Sequence, residues 1–128
     1  MRSNFEVSMV FRPIYFDTET TGIRPDKDRI VEIAAYDPVN DKTFQQLVQP
    51  GVLIQEEVIS IHGITNEMVA DAPTFLEAGK AFIDFCSGNC VLIAHNNDSF
   101  DKHFLFHEGI CSVCPWRILI FFHERLSS

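Results

Sequence analysis

The chain has 128 residues, with eighteen acidic and ten basic side chains, a net charge of −8 and 46% apolar residues. That length bounds it to one modest domain, and the apolar share excludes a disordered or fibrous polypeptide. The charge excludes nucleic-acid binding through a broad basic surface, so any nucleic acid would be held through metal ions or brought by a partner. No unbroken apolar stretch, Ile118 to Phe122 included, is long enough to span a bilayer. Glu6, Arg12 and Asp17 interrupt any N-terminal apolar region, which predicts an intracellular, cytoplasmic chain.

In chain order, the first element is a strand from Pro13 to Thr18, rich in aromatic and branched side chains. Thr20-Thr21-Gly22 and Arg24-Pro25-Asp26 then make a turn. A second strand runs from Arg29 to Asp37 and is stopped by Pro38; after Asn40-Asp41, a third runs from Lys42 to Gln49, stopped by Pro50-Gly51. Such short turns predict an antiparallel meander. The period then becomes helical. Gln55 to Ile61 reads as a short helix ended by Gly63, and Thr65-Asn66-Glu67 opens another. Asp71-Ala72-Pro73 opens a third, with proline in its first turn. From Thr74 to Cys86 that helix places Phe75, Ala78, Phe82 and Phe85 on one face, with Leu76 and Ile83 beside them, a stripe to be buried. Gly88 stops it. Cys90 to Ala94 is uninterruptedly apolar, as in a strand buried on both faces. Ser99 to Glu108 reads as a helix capped by Asp98 or Ser99 and stopped by Gly109. Pro115 to Ser128, with the run Ile118 to Phe122, reads as one more strand. The order β-β-β-α-β-α-β predicts an α/β domain over residues 1–128, a mixed sheet with helices on its faces, as in a ribonuclease H-like fold.

Asp17 and Glu19 sit two apart at the end of the first strand, so their carboxylates point to the same face. Two like charges on a mostly apolar strand are costly unless a cation neutralises them. Read alone, Asp-x-Glu favours a solvated strand end running into a turn. A second site lies far along the chain, where His95 to Asp101 joins the most apolar strand to a helix. In α/β sheets ligands collect at the carboxyl ends of strands, where such loops sit. Asp101, in the first helical turn, would face Asp17 and Glu19 across that crevice. Three converging carboxylates make a hard-oxygen site suited to Mg²⁺ or Mn²⁺. Asp98 is better explained as a helix cap, and Asp101 read alone is a favourable charge at a helix N-terminus.

These residues resemble a known family. Phe16-Asp17-Thr18-Glu19-Thr20-Thr21-Gly22 is similar to the first motif of the DnaQ-like (DEDD) 3′–5′ exonucleases, such as the proofreading epsilon subunits of bacterial DNA polymerase III. Ile61-His62-Gly63-Ile64-Thr65 resembles the HGIT element of that family, and Ala94-His95-Asn96 through Phe100-Asp101 its second motif, with the longer His-to-Asp spacing of the TREX-type branch. The resemblance covers residues 10–110, and 115–128 form a divergent tail. It implies that Asp17, Glu19 and Asp101 are catalytic metal ligands, with Asp17 shared between two ions, Mg²⁺ or Mn²⁺. It implies that Thr20 contacts the terminal nucleotide and that His62 and Phe100 line its sugar and base. The implied substrate is a single-stranded or frayed DNA 3′ end, or RNA, and the implied partner a DNA polymerase subunit. The implied reaction is two-metal hydrolysis releasing nucleotide monophosphates.

The family completes its site with a late helix carrying His-x4-Asp, and these residues hold no such pair; His123 is followed five positions later by Ser128. Losing a positioned base costs about 10²–10⁴-fold, so the expectation is a domain truncated before its third motif and weakly active or inactive. The alternative is a non-catalytic remnant that binds a polymerase partner or a nucleic-acid end. His103 and His107, four apart on one helix, lack a carboxylate-rich context and read as ordinary surface or core histidines. Cys86, Cys90, Cys111 and Cys114 offer a loose zinc ribbon only if both pairs meet on exposed knuckles; the preferred reading is reduced thiols.

Overall fold

Ile14, Phe16, Thr18 and Thr20 alternate with Tyr15, Asp17 and Glu19, the period of two that makes a half-buried strand. The computed structural model, which describes residues 11–24 and 26–94 and the backbone of 118–122, forms this stretch as β1 (Arg12–Thr20). β2 (Ile30–Asp37) and β3 (Lys42–Leu47) complete the predicted meander, with β1–β2 and β2–β3 both antiparallel. The β2–β3 turn is closed by Asp37, whose carboxylate accepts the N–H groups of Val39 and Asn40, with Asp41 in the left-handed region at φ 53°. β3 ends two residues before the predicted Gln49. Gln49 instead makes a lone parallel bridge to Thr74, its N–H donating to Pro73 O at 2.8 Å.

α1 (Glu56–His62) ends on Gly63, whose φ of 77° closes the helix with an N–H to Ile59 O at 2.7 Å. α2 (Asn66–Val69) is capped by Thr65, whose hydroxyl accepts the Met68 N–H. α3 (Phe75–Phe85) starts on Thr74, so Pro73 precedes the cap rather than lying in the first turn, which leaves its carbonyl for the Gln49 bridge. Ala78, Phe82 and Ile83 are buried, Phe75 and Phe85 half-buried; Leu76 is 62% exposed, a correction to the predicted stripe. Phe82 and Phe85 both pack against Phe44 of β3, at ring centroids 5.6 and 5.5 Å apart.

β4 (Cys90–Ala94) runs parallel to β1, and β5 (Ile118–Phe122) parallel to β4. The sheet is mixed, in the order β3-β2-β1-β4-β5. The predicted helix Ser99–Glu108 lies outside the described residues. In β4, Cys90 and Leu92 are buried but Val91 and Ile93 only half-buried, so its second face is more open than the apolar run predicts. That face continues into the exposed Tyr15, paired with Ile93, and the β1 carboxylates.

Two apolar clusters hold the layers. One joins Ile14, Phe16, Ile33, Ala35 and Leu92 of the sheet to α3. The other gathers Val31, Ile54, Ile64 and Val69 around the ends of α1 and α2. Among the described residues, no helix is long and apolar enough to cross a membrane.

Candidate active site

The face of β1 turned away from α3 carries Tyr15, Asp17 and Glu19 in succession, as the period of two requires. In the pairing with β2, Asp17 stands opposite Ala34 and Glu19 opposite Glu32. The small Ala34 leaves an open cavity of about 330 Å³ bounded by Tyr15, Asp17 and Tyr36. Glu19 is half-buried, and its carboxyl is raised above the ordinary value by that burial first and by Asp17 second; Glu32 adds to the rise and His62 opposes it. Two acids side by side, one already reluctant to ionise, form a donor set that a divalent cation would relieve. Among the described residues, no cluster of three or more His, Cys, Asp or Glu side chains converges. The third predicted ligand, Asp101, lies outside the described residues, as do Phe100, His95, His103, His107, Cys111, Cys114 and His123. β4 ends at Ala94 in register with Phe16, one residue before Asp17.

β1 departs from regular pairing between Glu19 and Thr20. Thr20 turns inward, is buried, and donates its hydroxyl to Gly22 O. His62, at the C-terminal end of α1, is tied to the same point. Its Nδ1 accepts the Ile64 N–H at 3.1 Å, which places the ring proton on Nε2, and Nε2–H donates to Thr20 O at 3.0 Å. With both nitrogens taken by backbone, the ring offers a ligand only its face.

The exonuclease family model, RNase T, matches residues 14–119. The chain belongs to this exonuclease family. A DNA polymerase III subunit epsilon-like protein of Rhodobacter capsulatus is 46% identical over 98 residues, covering 72% of this chain and 14% of that protein. The DNA polymerase III subunit epsilon of Escherichia coli is 34% identical over 108 residues, 77% of this chain and 44% of that protein. The chain therefore spans less than half the length of these curated relatives. Among solved structures, exonuclease X in complex with 5′ overhanging duplex DNA superposes with a TM-score of 0.58 at 34% identity, over 72% of this chain and 52% of that one. The ribonuclease H-like sheet expected from the element order is the fold of this exonuclease family.

Other residues beside the candidate site escape a motif reading. Ile23 and Ile61 are 81% and 82% exposed, and with Val58 and His62 they bound a shallow cavity of about 180 Å³ whose floor includes Glu19. Both line this cavity beside the carboxylate; in the sequence each reads as one more apolar residue near a turn. Glu32, opposite Glu19, reads as the polar position of a strand. The cysteines give no zinc knuckle among the described residues, since Cys86 and Cys90 lie buried in the core, where Cys90 Sγ donates to Cys86 O at 3.2 Å.

Proposed function

We propose that this domain is a metal-dependent 3′–5′ exonuclease acting on the end of a single strand. The observation that carries the reading is the placement of Asp17 and Glu19 on one open face of β1, beside β4, which ends at Ala94 in register with Phe16. Asp17, Glu19 and Asp101 would hold the divalent ions, Mg²⁺ or Mn²⁺. When bound, such ions supply positive charge to the scissile phosphate and lower the pKa of an attacking water. They also let a chain of net charge −8 hold a polyanion. His62 presents its ring face, and Ile23 and Ile61 their aliphatic surfaces, to the sugar and base of the last nucleotide; Phe100 joins them from the second motif. Such apolar contacts accept any base. Thr20 shapes this grip through its carbonyl, held by His62. The substrate is a DNA or RNA 3′ end. The names of the relatives support a DNA polymerase subunit as partner.

A second reading has its own observation. These 128 residues hold no His-x4-Asp pair, so a base for the attacking water would have to come from elsewhere, and without one the domain would bind a 3′ end or a polymerase partner rather than cut. The test is a labelled single-stranded oligonucleotide incubated with the full chain and Mg²⁺ or Mn²⁺. Stepwise loss of 3′ nucleotides, abolished in Asp17→Ala, supports the nuclease. Binding without shortening supports the second reading, and neither binding nor shortening defeats both.

A further inference from the structure

A single carboxylate closes the turn that follows Glu19. Asp28 accepts the Thr21 hydroxyl on Oδ1 at 3.0 Å and the Arg24 N–H on Oδ2 at 3.0 Å. Thr21 is buried and held from both sides, donating its N–H to Arg29 O at 2.8 Å and accepting the Arg29 N–H on its hydroxyl at 3.0 Å. Arg24 O accepts the N–H groups of Lys27 and Asp28, which brings Asp28 back over the turn. A Cβ on Gly22 would lie 2.4 Å from Asp28 Oδ2 and 2.6 Å from its Cγ. Gly22 is not among the glycines with positive φ. Glycine is needed there for the close approach of the carboxylate and not for backbone freedom.

We propose that Asp28 is a positioning residue of the candidate active site: through Thr21, Gly22 and Arg24 it fixes the turn that presents Ile23 beside Glu19, and so sets the grip on the terminal nucleotide. This rests on the exonuclease reading. Asp28 itself touches no substrate in this role. Asp17 and Glu19 are held separately, by the pairing of β1 with β2 and, up to Phe16, with β4. Loosening the turn therefore leaves the carboxylates in place and frees the nucleotide side of the site. The signature is a raised KM with unchanged kcat and unchanged dependence on Mn²⁺ concentration.

The experiment is steady-state hydrolysis of a single-stranded DNA oligonucleotide by the full chain in Mn²⁺. Asp28→Ala is expected to raise KM about tenfold, the scale of losing the contact of Ile23 with the terminal nucleotide. Gly22→Ala alone does the same by displacing the carboxylate, and the double variant is no worse than Asp28→Ala, because the added methyl then has room. Thr21→Val gives the same rise in KM and serves where Asp28→Ala does not fold. A lowered Tm with unchanged KM, a fall in kcat alone, or additive effects of Gly22→Ala and Asp28→Ala would each overturn the proposal. If the wild-type chain binds the oligonucleotide without cutting it, the nuclease reading fails for this chain. The positioning role is then read from binding in Ca²⁺, where Asp28→Ala must weaken binding about tenfold and equal binding overturns it. No binding by the wild type overturns both.

Discussion

Glu19 stands directly opposite Glu32 across the antiparallel pairing of β1 and β2, with both side chains on the sheet face that also carries Asp17. Like charges directly opposite one another destabilise a sheet, and Gln45 holds Glu32 in place with an amide hydrogen bond of 2.8 Å. Burial and these neighbours raise the Glu19 carboxyl. The folded chain then keeps a proton that the unfolded chain has released, so this part of its stability is present below the unfolded value and lost as pH rises through the folded one. Glu19→Gln is expected to raise the Tm of the metal-free protein by a few degrees at neutral pH. It is also expected to remove the further rise that Mn²⁺ gives the wild type. Differential scanning fluorimetry with and without Mn²⁺ checks both, and a metal-induced rise that survives Glu19→Gln excludes Glu19 as a ligand.

Arg12 and Asp37 form the other charged relationship, this time within the frame. Arg12 Nε lies 3.0 Å from Asp37 Oδ2, an ionic contact, while its two terminal nitrogens donate to Ser87 O at 2.8 Å and Phe85 O at 3.1 Å. One side chain thus joins the start of β1, the end of β2 and the C-terminal end of α3, where a cation also suits the helix dipole. Burial by itself would raise the Asp37 carboxyl, but the Asn40 and Val39 donors and Arg12 outweigh it and hold it below the usual range. Its contribution is present above the unfolded value of about 3.9 and is lost as pH falls through the lower folded value. Asp37→Asn is expected to cost about 1.5–3 kcal/mol near neutrality. In urea titrations, the gap to wild type stays constant down to about pH 5 and closes below about pH 4. A gap that widens in acid would show that the carboxylate is not the stabilising form.

Phe82 is the pivot of the larger apolar cluster, fully buried on α3 and packed against Phe44. Phe82→Ala is expected to cost about 3–5 kcal/mol of unfolding free energy. Leu76→Ala, six residues away on the exposed side of the same helix, should stay within about 0.5 kcal/mol. Equal costs would mean that the helix presents a different face to the sheet.

That contrast shows where sequence reading succeeds. Composition and periodicity are local properties, so β1 and β2 were legible from branched and aromatic runs bounded by turn residues, β4 from its apolar run and α3 from the Phe75–Phe85 stripe, and Asp17 and Glu19 were legible as a pair because a strand puts alternate residues on one face. Leu76 was misread because a stripe has edges, and only the packed sheet decides which edge is covered. The end of β3 was misread because Gln49 finds its partner at Thr74, beyond any local window. His62 was legible as a motif residue but not as a brace: its bond to Thr20 joins positions 42 residues apart. The Asp28 carboxylate over Gly22 was hidden for a related reason, since a turn signal such as Thr-Gly does not say what packs above it.

Ile23 and Ile61 allow the proposed substrate contact to be tested apart from the chemistry. Both are more than four-fifths exposed, so truncating them removes little buried surface and should change stability by less than about 0.5 kcal/mol. Burying part of such a side chain against a nucleotide is worth about 1–2 kcal/mol, or roughly tenfold in affinity. Ile23→Ala and Ile61→Ala are therefore each expected to weaken binding of a single-stranded oligonucleotide severalfold at unchanged Tm. The loss should be independent of salt, because no charge is removed. Fluorescence anisotropy at two ionic strengths separates the outcomes: unchanged affinity in both variants would place the terminal base elsewhere, on the Tyr15–Tyr36 side of Asp17.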